Sequence, residues 1–105
     1  MGNSSFEFIL RILKTARKEN VVHTNERRRL RDEIRKGDSS EETWEQYERA
    51  VKKQVQTINE VWSAINALRM MQPNLRIEYK QKGPSECPSE MYITDGDTGK
   101  MYYIA

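Results

Sequence analysis

WEQYERAVKKQVQTINEVWSAINAL, residues 44–68, decides the fold that we expect for this chain. Apolar side chains recur there in alternating steps of three and four residues, which is the period of one face of an α-helix. They occupy seven of eight consecutive heptad positions, and only Gln54 interrupts the series. So wide an apolar stripe predicts a long helix that faces a core. The seven residues are Trp44, Tyr47, Val51, Ile58, Val61, Ile65 and Leu68.

Residues around this stretch set its limits and supply a partner helix. Ser39 and Glu42 have the spacing of a capping box, and Pro73 stops the pattern, so we expect a helix over 40–72. A second helical pattern covers 5–36. Residues 20–24 leave two alternatives open there, one continuous helix or a break, because two adjacent β-branched valines weaken a helix.

After the second helix the apolar period changes to two, which indicates strands. Leu75, Ile77 and Tyr79 alternate with charged residues, and two further strand patterns follow, separated by stretches rich in Gly, Pro and Ser. We therefore expect an α+β fold, in which an antiparallel αα-hairpin is followed by a small three-stranded antiparallel sheet over 75–104. Its length makes the chain, residues 1–105, a single domain.

Few side chains here could carry catalysis or bind a metal. His23 is the only histidine and Cys87 the only cysteine, whereas a zinc site needs three or four ligands. The sequence has no glycine-rich phosphate loop and no nucleophile elbow. We expect no enzymatic activity, no catalytic residue, no metal, no cofactor and no small-molecule substrate.

The compartment follows from cysteine content and hydropathy. A lone cysteine cannot form an internal disulfide, which favours a reducing compartment. No apolar run approaches the roughly 20 residues of a membrane span. We expect a cytoplasmic, intracellular location, or a nuclear one in a eukaryotic host.

The leading functional hypothesis is a protein–protein interaction module that forms a homodimer. The charged fraction of 32% is high for a chain that must build a core, so a second copy would complete the burial of the long helix. Aromatic residues dominate the energetics of interfaces. The predicted interface residues are Trp44, Tyr47, Val51, Ile58, Trp62 and Ile65.

The alternative hypothesis is a small RNA-binding accessory protein of the kind that viruses and phages encode. Residues 1–36 hold ten Lys and Arg against five Asp and Glu, and a basic run lies at 27–36. Arginines on one helix face can bind phosphates, because each guanidinium group can donate a pair of hydrogen bonds to a phosphate. The candidate nucleic-acid-binding residues are Arg27, Arg28, Arg31 and Arg35.

The third hypothesis is peripheral membrane attachment through residues 1–18, which form a basic amphipathic helix. We rank membrane binding last, because the apolar stripe of the long helix needs that same helix as its cover.

Residues 58–104 combine a helix, a strand, a loop and a hairpin. The segments 58–60, 74–79, 93–95 and 98–100 make this part similar to the C-terminal part of the bacterial flagellar FlaG family. That family's terminal Ile-Pro segment is missing, and the resemblance covers under half of the chain. It implies the helix–meander arrangement alone and assigns no site residue.

Overall fold

The computed structural model describes residues 3–37, 40–81 and 87–104. Two helices come first and three strands follow, in the sheet order β1-β2-β3 with both pairs antiparallel. The predicted αα-hairpin followed by a three-stranded antiparallel sheet is confirmed. The elements are α1 Asn3–Arg35, α2 Glu41–Met71, β1 Leu75–Lys80, β2 Ser89–Asp95 and β3 Met101–Ile104.

Helix α1 runs without a break through residues 20–24, so the continuous alternative is the correct one. Val21 and Val22 are exposed, and β-branched residues cost a helix only a few tenths of a kcal/mol each. Thr24 is buried inside the helix and donates a hydrogen bond of 3.4 Å to the side-chain oxygen of Asn20.

Helix α2 begins with a cap one residue later than the sequence predicted. Ser40 is the N-cap, and its hydroxyl accepts a hydrogen bond from the backbone N–H of Thr43 at 3.3 Å. The predicted cap, Ser39, lies outside the described residues. Gly37, with a φ of +109°, ends the preceding turn, where a side chain would be strained.

A buried polar contact joins the middle of the two helices. The amide nitrogen of Asn20 donates to the backbone oxygen of Gln54 at 3.1 Å and to the hydroxyl of Thr57 at 3.0 Å. Asn20 and Thr57 are both buried, being 3% and 4% exposed. A buried amide of this kind fixes the register of paired helices, because any slip leaves it without partners.

The hydrophobic core lies at the end of the hairpin that carries the sheet. Leu13 of α1, Ile65 and Leu68 of α2, and Met91 and Ile93 of β2 are all fully buried there. Towards the turn between the helices the buried positions are mostly small or polar. Leu30 is the one large hydrophobic side chain fully buried in that half of the described hairpin.

Hydrogen bonds connect the turn between β2 and β3 to the residues just before β1. The carboxylate of Asp95 accepts from the backbone N–H of Asp97 at 2.8 Å and from the amide of Gln72 at 3.0 Å. Asn74 donates to the Asp97 carboxylate at 2.8 Å, and its backbone oxygen accepts from Gly96 at 3.0 Å. A Cβ on Gly96 would collide with that oxygen, so this close approach requires glycine.

The first prediction concerns the buried amide. Changing Asn20→Ala should lower the free energy of unfolding by about 1–3 kcal/mol, because it removes both hydrogen bonds that this side chain makes between the helices. Urea denaturation measures this. The control, Val22→Ala, alters an exposed residue of the same helix and should stay within about 0.5 kcal/mol of the unchanged protein. Equal effects of the two substitutions would contradict the role given to Asn20.

The second prediction concerns acid. The hydrogen bond from the Asp97 backbone, helped by Gln72, holds the pKa of Asp95 below its ordinary value of 3.8. A lowered pKa means that ionised Asp95 stabilises the fold above about pH 4, and that this stabilisation is lost as the pH falls through the folded pKa. Asp95→Asn keeps one acceptor oxygen but cannot titrate. Thermal melts between pH 2 and pH 5 should therefore fall less steeply for this variant, and parallel curves would refute the assignment.

Candidate functional site

The face of α2 that packs against α1 differs from the predicted stripe in the half nearer the turn. Thr43, Ala50 and Thr57 are buried there, each one position before the predicted Trp44, Val51 and Ile58. Small residues in this row allow the helices to approach closely, whereas the larger neighbours lie at the flank. The predicted Val61, Ile65 and Leu68 are buried as expected, because both α1 and the sheet cover that end.

The predicted interface residues therefore lie in different environments, and the structure does not bring them together on one free surface. Ile65 is fully buried in the chain's own core. Trp62 is half-buried and packs edge-on against Tyr79, with ring centroids 5.6 Å apart. Trp44 is 44% exposed and packs edge-on against Tyr47 at 6.0 Å.

Val51 and Ile58 remain half-buried at the flank of the helix pair. Together with Trp44 and Tyr47, they make the outer surface of α2 partly, but not fully, apolar. The role of the six residues in self-association stays a prediction.

An apolar groove lies between the two helices on the side that the sheet leaves uncovered. No described residue of β1, β2 or β3 lines it, and its volume is about 630 Å³. One wall comes from α1 through Ile9 and Ile12. The other comes from α2, with Val55 and a run of small and polar residues. These α2 residues are Lys52, Val55, Gln56, Asn59, Glu60, Ser63, Ala64 and Ala67.

A smaller depression continues this groove along α1 and shares Ile12 and Glu60 with it. Phe8 lies at its edge and is 60% exposed, and Val55 across the groove is 51% exposed. Together the two depressions form one continuous surface, which we call the open face. Large apolar side chains clustered on one exposed surface are typical of sites that bind a protein, a membrane or a ligand.

Sequence reasoning missed the open face, although its residues were visible. Phe8 and Ile12 lie beside the apolar stripe of α1, and Val55 beside that of α2. Such additional apolar residues signal a helix that is covered on more than one side. The sequence does not say which of them the chain itself covers, because that depends on where the sheet packs.

The four candidate arginines do not share one exposed face. Arg27 and Arg31 are half-buried on the side of α1 that faces α2, while Arg28 and Arg35 are exposed. The Nε atoms of Arg27 and Arg31 are buried and make no hydrogen bond. Leu30, which lies between them in the sequence, is fully buried. Long arginine side chains such as these can lie along a helix seam with only their ends in water.

Most of the apolar side of the N-terminal amphipathic helix is used inside the protein. Leu10, Leu13 and Ala16 are buried in the core, and Phe6 packs against Tyr102 with ring centroids 5.5 Å apart. Within the described ranges, neither helix has the length and hydropathy that a membrane crossing requires. Among the described large apolar side chains of this segment, Phe8 and Ile12 are the exposed ones.

The described residues bring no three histidine, cysteine or acidic side chains close enough together to hold a metal ion. Cys87 is half-buried next to the core and forms no disulfide. The surface with the clearest chemical character in the described chain is thus an apolar one.

Comparison with protein-family models, with curated proteins and with solved structures finds no match to this chain. The resemblance of residues 58–104 to the FlaG family therefore has no support from a matching family model.

Proposed function

We propose that this protein is a non-enzymatic assembly module that forms a homodimer through its open face. A single observation carries the proposal, namely that Phe8, Ile12 and Val55 are exposed around a groove that the sheet leaves uncovered. Burying a large apolar side chain fully contributes about 1.5–3 kcal/mol. Association with a partner that covers this surface gains this free energy, which is not gained while the side chains stay in contact with water.

A second copy suits this surface for two reasons. The same surface carries both large exposed apolar side chains, Phe8 and Ile12, and a groove lined in part by the small residues Ser63 and Ala67. Two-fold symmetry requires such self-complementarity, because each copy presents the same patch. The molecule measures 55 × 23 × 17 Å, so its broad side can supply the roughly 800 Å² per partner that a standard interface buries.

The long helix thus contributes to self-association with a different row of residues from the one that the sequence suggested. Val55, Asn59, Ser63 and Ala67 of α2 line the groove, and residues of α1 complete it. We assign this module to the cytoplasm, since its lone cysteine suits a reducing compartment.

The third prediction tests the dimer. Changing Ile12→Glu should weaken association at least tenfold, because a charge would be buried in an apolar interface. Light scattering or sedimentation at concentrations from one to several hundred micromolar measures the change. The unchanged protein should be a dimer at the upper end of this range, and a monomer throughout would refute the proposal.

Val21→Glu is the matched control for that experiment. Val21 is also exposed on α1, but it lies nine residues after Ile12, about two and a half turns away, and so on the opposite side of the helix. This variant should dimerise as the unchanged protein does. Circular dichroism of both variants separates a loss of association from a loss of folding.

RNA binding is the second candidate, and the exposure of Arg28 and Arg35 favours it. They lie seven residues apart and hence on one side of α1, with exposed Lys36 beside them. Such a cluster could bind phosphates without recognising sequence.

The fourth prediction tests this candidate by titrating a fluorescent duplex RNA at low and high salt. Arg28→Ala together with Arg35→Ala should reduce the affinity several-fold at about 50 mM salt and flatten its salt dependence, because phosphate contacts release counterions. Arg69→Ala, an exposed arginine on α2 at the other end of the hairpin, is the control. No binding at low salt would exclude this function.

A further inference from the structure

The sheet identifies which rows of α1 lie on its own side of the hairpin. Leu10 belongs to the core below the sheet, and Phe6, about one turn earlier, packs against Tyr102 of β3. Residues seven positions apart lie on about the same side of a paired helix. The row that continues from Leu10 towards the turn is Arg17, Thr24 and Arg31. The row next to it, four positions further on, is Lys14, Val21, Arg28 and Arg35.

These two rows are basic and, from residue 10 to residue 35, hold no carboxylate. Glu19, Glu26 and Glu33 form a separate row, which they share with Ile12 of the open face. Asp32 adjoins the basic rows at their outer edge. None of the basic residues lines the open groove or its smaller continuation, so the basic surface lies on the other side of the hairpin.

Arg17 and Arg31 lie in the seam between the helices without an acceptor for their Nε atoms. Arg17 is 9% exposed and Arg31 is half-buried, and the Nε atom of each is buried and makes no hydrogen bond. The ion pairs between described residues involve neither side chain. Burying a cation without a counter-charge is unfavourable, so this seam attracts an anion from outside.

The α2 side of the same surface is aromatic and aliphatic. Steps of seven lead back from Ile65 of the core to Ile58, Val51 and Trp44. Trp44 packs edge-on against Tyr47, about one turn further along, and stays 44% exposed. None of these residues lines the open groove, so they lie on the side of the hairpin that carries the basic rows.

The carboxylates of α2 lie outside this surface. Those near the turn are Glu41, Glu42, Glu45 and Glu48. Each lies seven or fourteen positions before a residue that lines the open groove. Glu41 and Glu48 are within about one turn of Trp44 and mark the outer limit of the aromatic row. No carboxylate lies between this row and the basic rows of α1.

The hydrogen bonds of Asn20 show which residues of the two helices lie at the same level. Asn20 is level with residues 54–57 of α2. The helices run in opposite directions with the same rise, so each step forward along α1 matches one step back along α2. Arg28 is therefore level with residues 46–49, which include Tyr47, and Arg31 is level with residues 43–46, which include Trp44. Guanidinium groups and aromatic rings thus lie at the same level on the two sides of one seam.

We infer that this surface binds single-stranded RNA, with phosphates on the arginines of α1 and unpaired bases stacked on Trp44 and Tyr47. We call it the basic–aromatic face. Its residues are Arg17, Arg28, Arg31, Arg35, Trp44 and Tyr47. The inference rests on the RNA-binding candidate given above and adds the strand state and the aromatic contacts. It does not depend on the dimer, because the open face lies on the opposite side of the hairpin.

The chemistry of a nucleotide matches this arrangement. Arginine donates paired hydrogen bonds to a phosphate, and aromatic side chains stack on the bases of single strands. Every nucleotide carries both groups, which favours RNA over an acidic peptide on a face where rings and guanidinium groups lie level with one another. A duplex keeps its bases paired and stacked inside, so it can use the arginines but not the rings.

The fifth prediction compares a labelled single-stranded oligouridine with a labelled RNA duplex of the same length, at about 50 mM salt. Trp44→Ala should weaken binding of the single strand by about tenfold, as expected when one base loses its stacking partner, and should change the affinity for the duplex less than about twofold. Trp44→Phe keeps a ring at this position and should retain most of the affinity. Fluorescence anisotropy measures all three.

Tyr103→Ala is the matched control. Tyr103 is 49% exposed and packs against Tyr92 with ring centroids 4.9 Å apart, while its neighbours Tyr102 and Ile104 pack on the core. It is therefore an exposed aromatic residue on the outer surface of the sheet, and its removal should leave both affinities unchanged. Circular dichroism checks that the variants fold. A single-strand affinity that falls with Tyr103→Ala but not with Trp44→Ala would overturn the inference.

The outcomes separate this inference from the RNA-binding candidate on which it rests. If neither probe binds at low salt, both are rejected. If Trp44→Ala has no effect, or weakens both probes equally, RNA binding stands and the basic–aromatic face is rejected as a stacking site. Oligoglutamate that binds more tightly than the single strand, with the same dependence on Trp44, would assign the face to an acidic protein partner instead.

Discussion

A small sheet can cover only part of a long helical hairpin, and the rest of this structure follows from that limit. The hairpin dominates a molecule 55 Å long, whereas the strands have six, seven and four residues, and strands rise only about 3.3 Å per residue. The sheet therefore packs on one side of the hairpin near one end. The core forms there, and the opposite side keeps apolar residues in contact with water.

The sequence along each helix agrees with this division. Where both the partner helix and the sheet are present, α2 buries Val61, Ile65 and Leu68. Where only α1 is present, it buries Thr43 and Ala50, small residues that suit the narrow contact of two helices. Asn20 lies between these two parts of the hairpin, and its hydrogen bonds fix the alignment of α1 with α2. The same contact therefore determines which side chains come together on the open face.

The elements could be predicted from the sequence because periodicity and turn residues are local signals. The apolar pattern of residues 44–68 predicted a helix, and the alternation at 75–79 predicted a strand, both correctly. In the half nearer the turn, the row of α2 residues that faces α1 could not be predicted, because a pattern of apolar residues favours Trp44 over Thr43. Burial in this half depends on how closely two helices can approach, which is a property of the pair.

The candidate site was harder to predict than the fold for a related reason. Ile12 and Ile65 are both apolar residues on helix faces, yet one is 39% exposed and the other is fully buried. Their difference arises from where the sheet packs. Arg31 illustrates the reverse case, in which a charged side chain expected on the outside lies half-buried along a seam.

The position of Leu30 has a consequence for how the molecule moves. Since it alone among the large hydrophobic residues is fully buried in the turn half of the described hairpin, that half is held together by far less apolar area than the sheet end. Regions with few buried apolar contacts open locally at a lower free energy than the core around them. The tips of the two helices therefore separate transiently while the sheet end stays closed, and backbone amides near the turn exchange with solvent first.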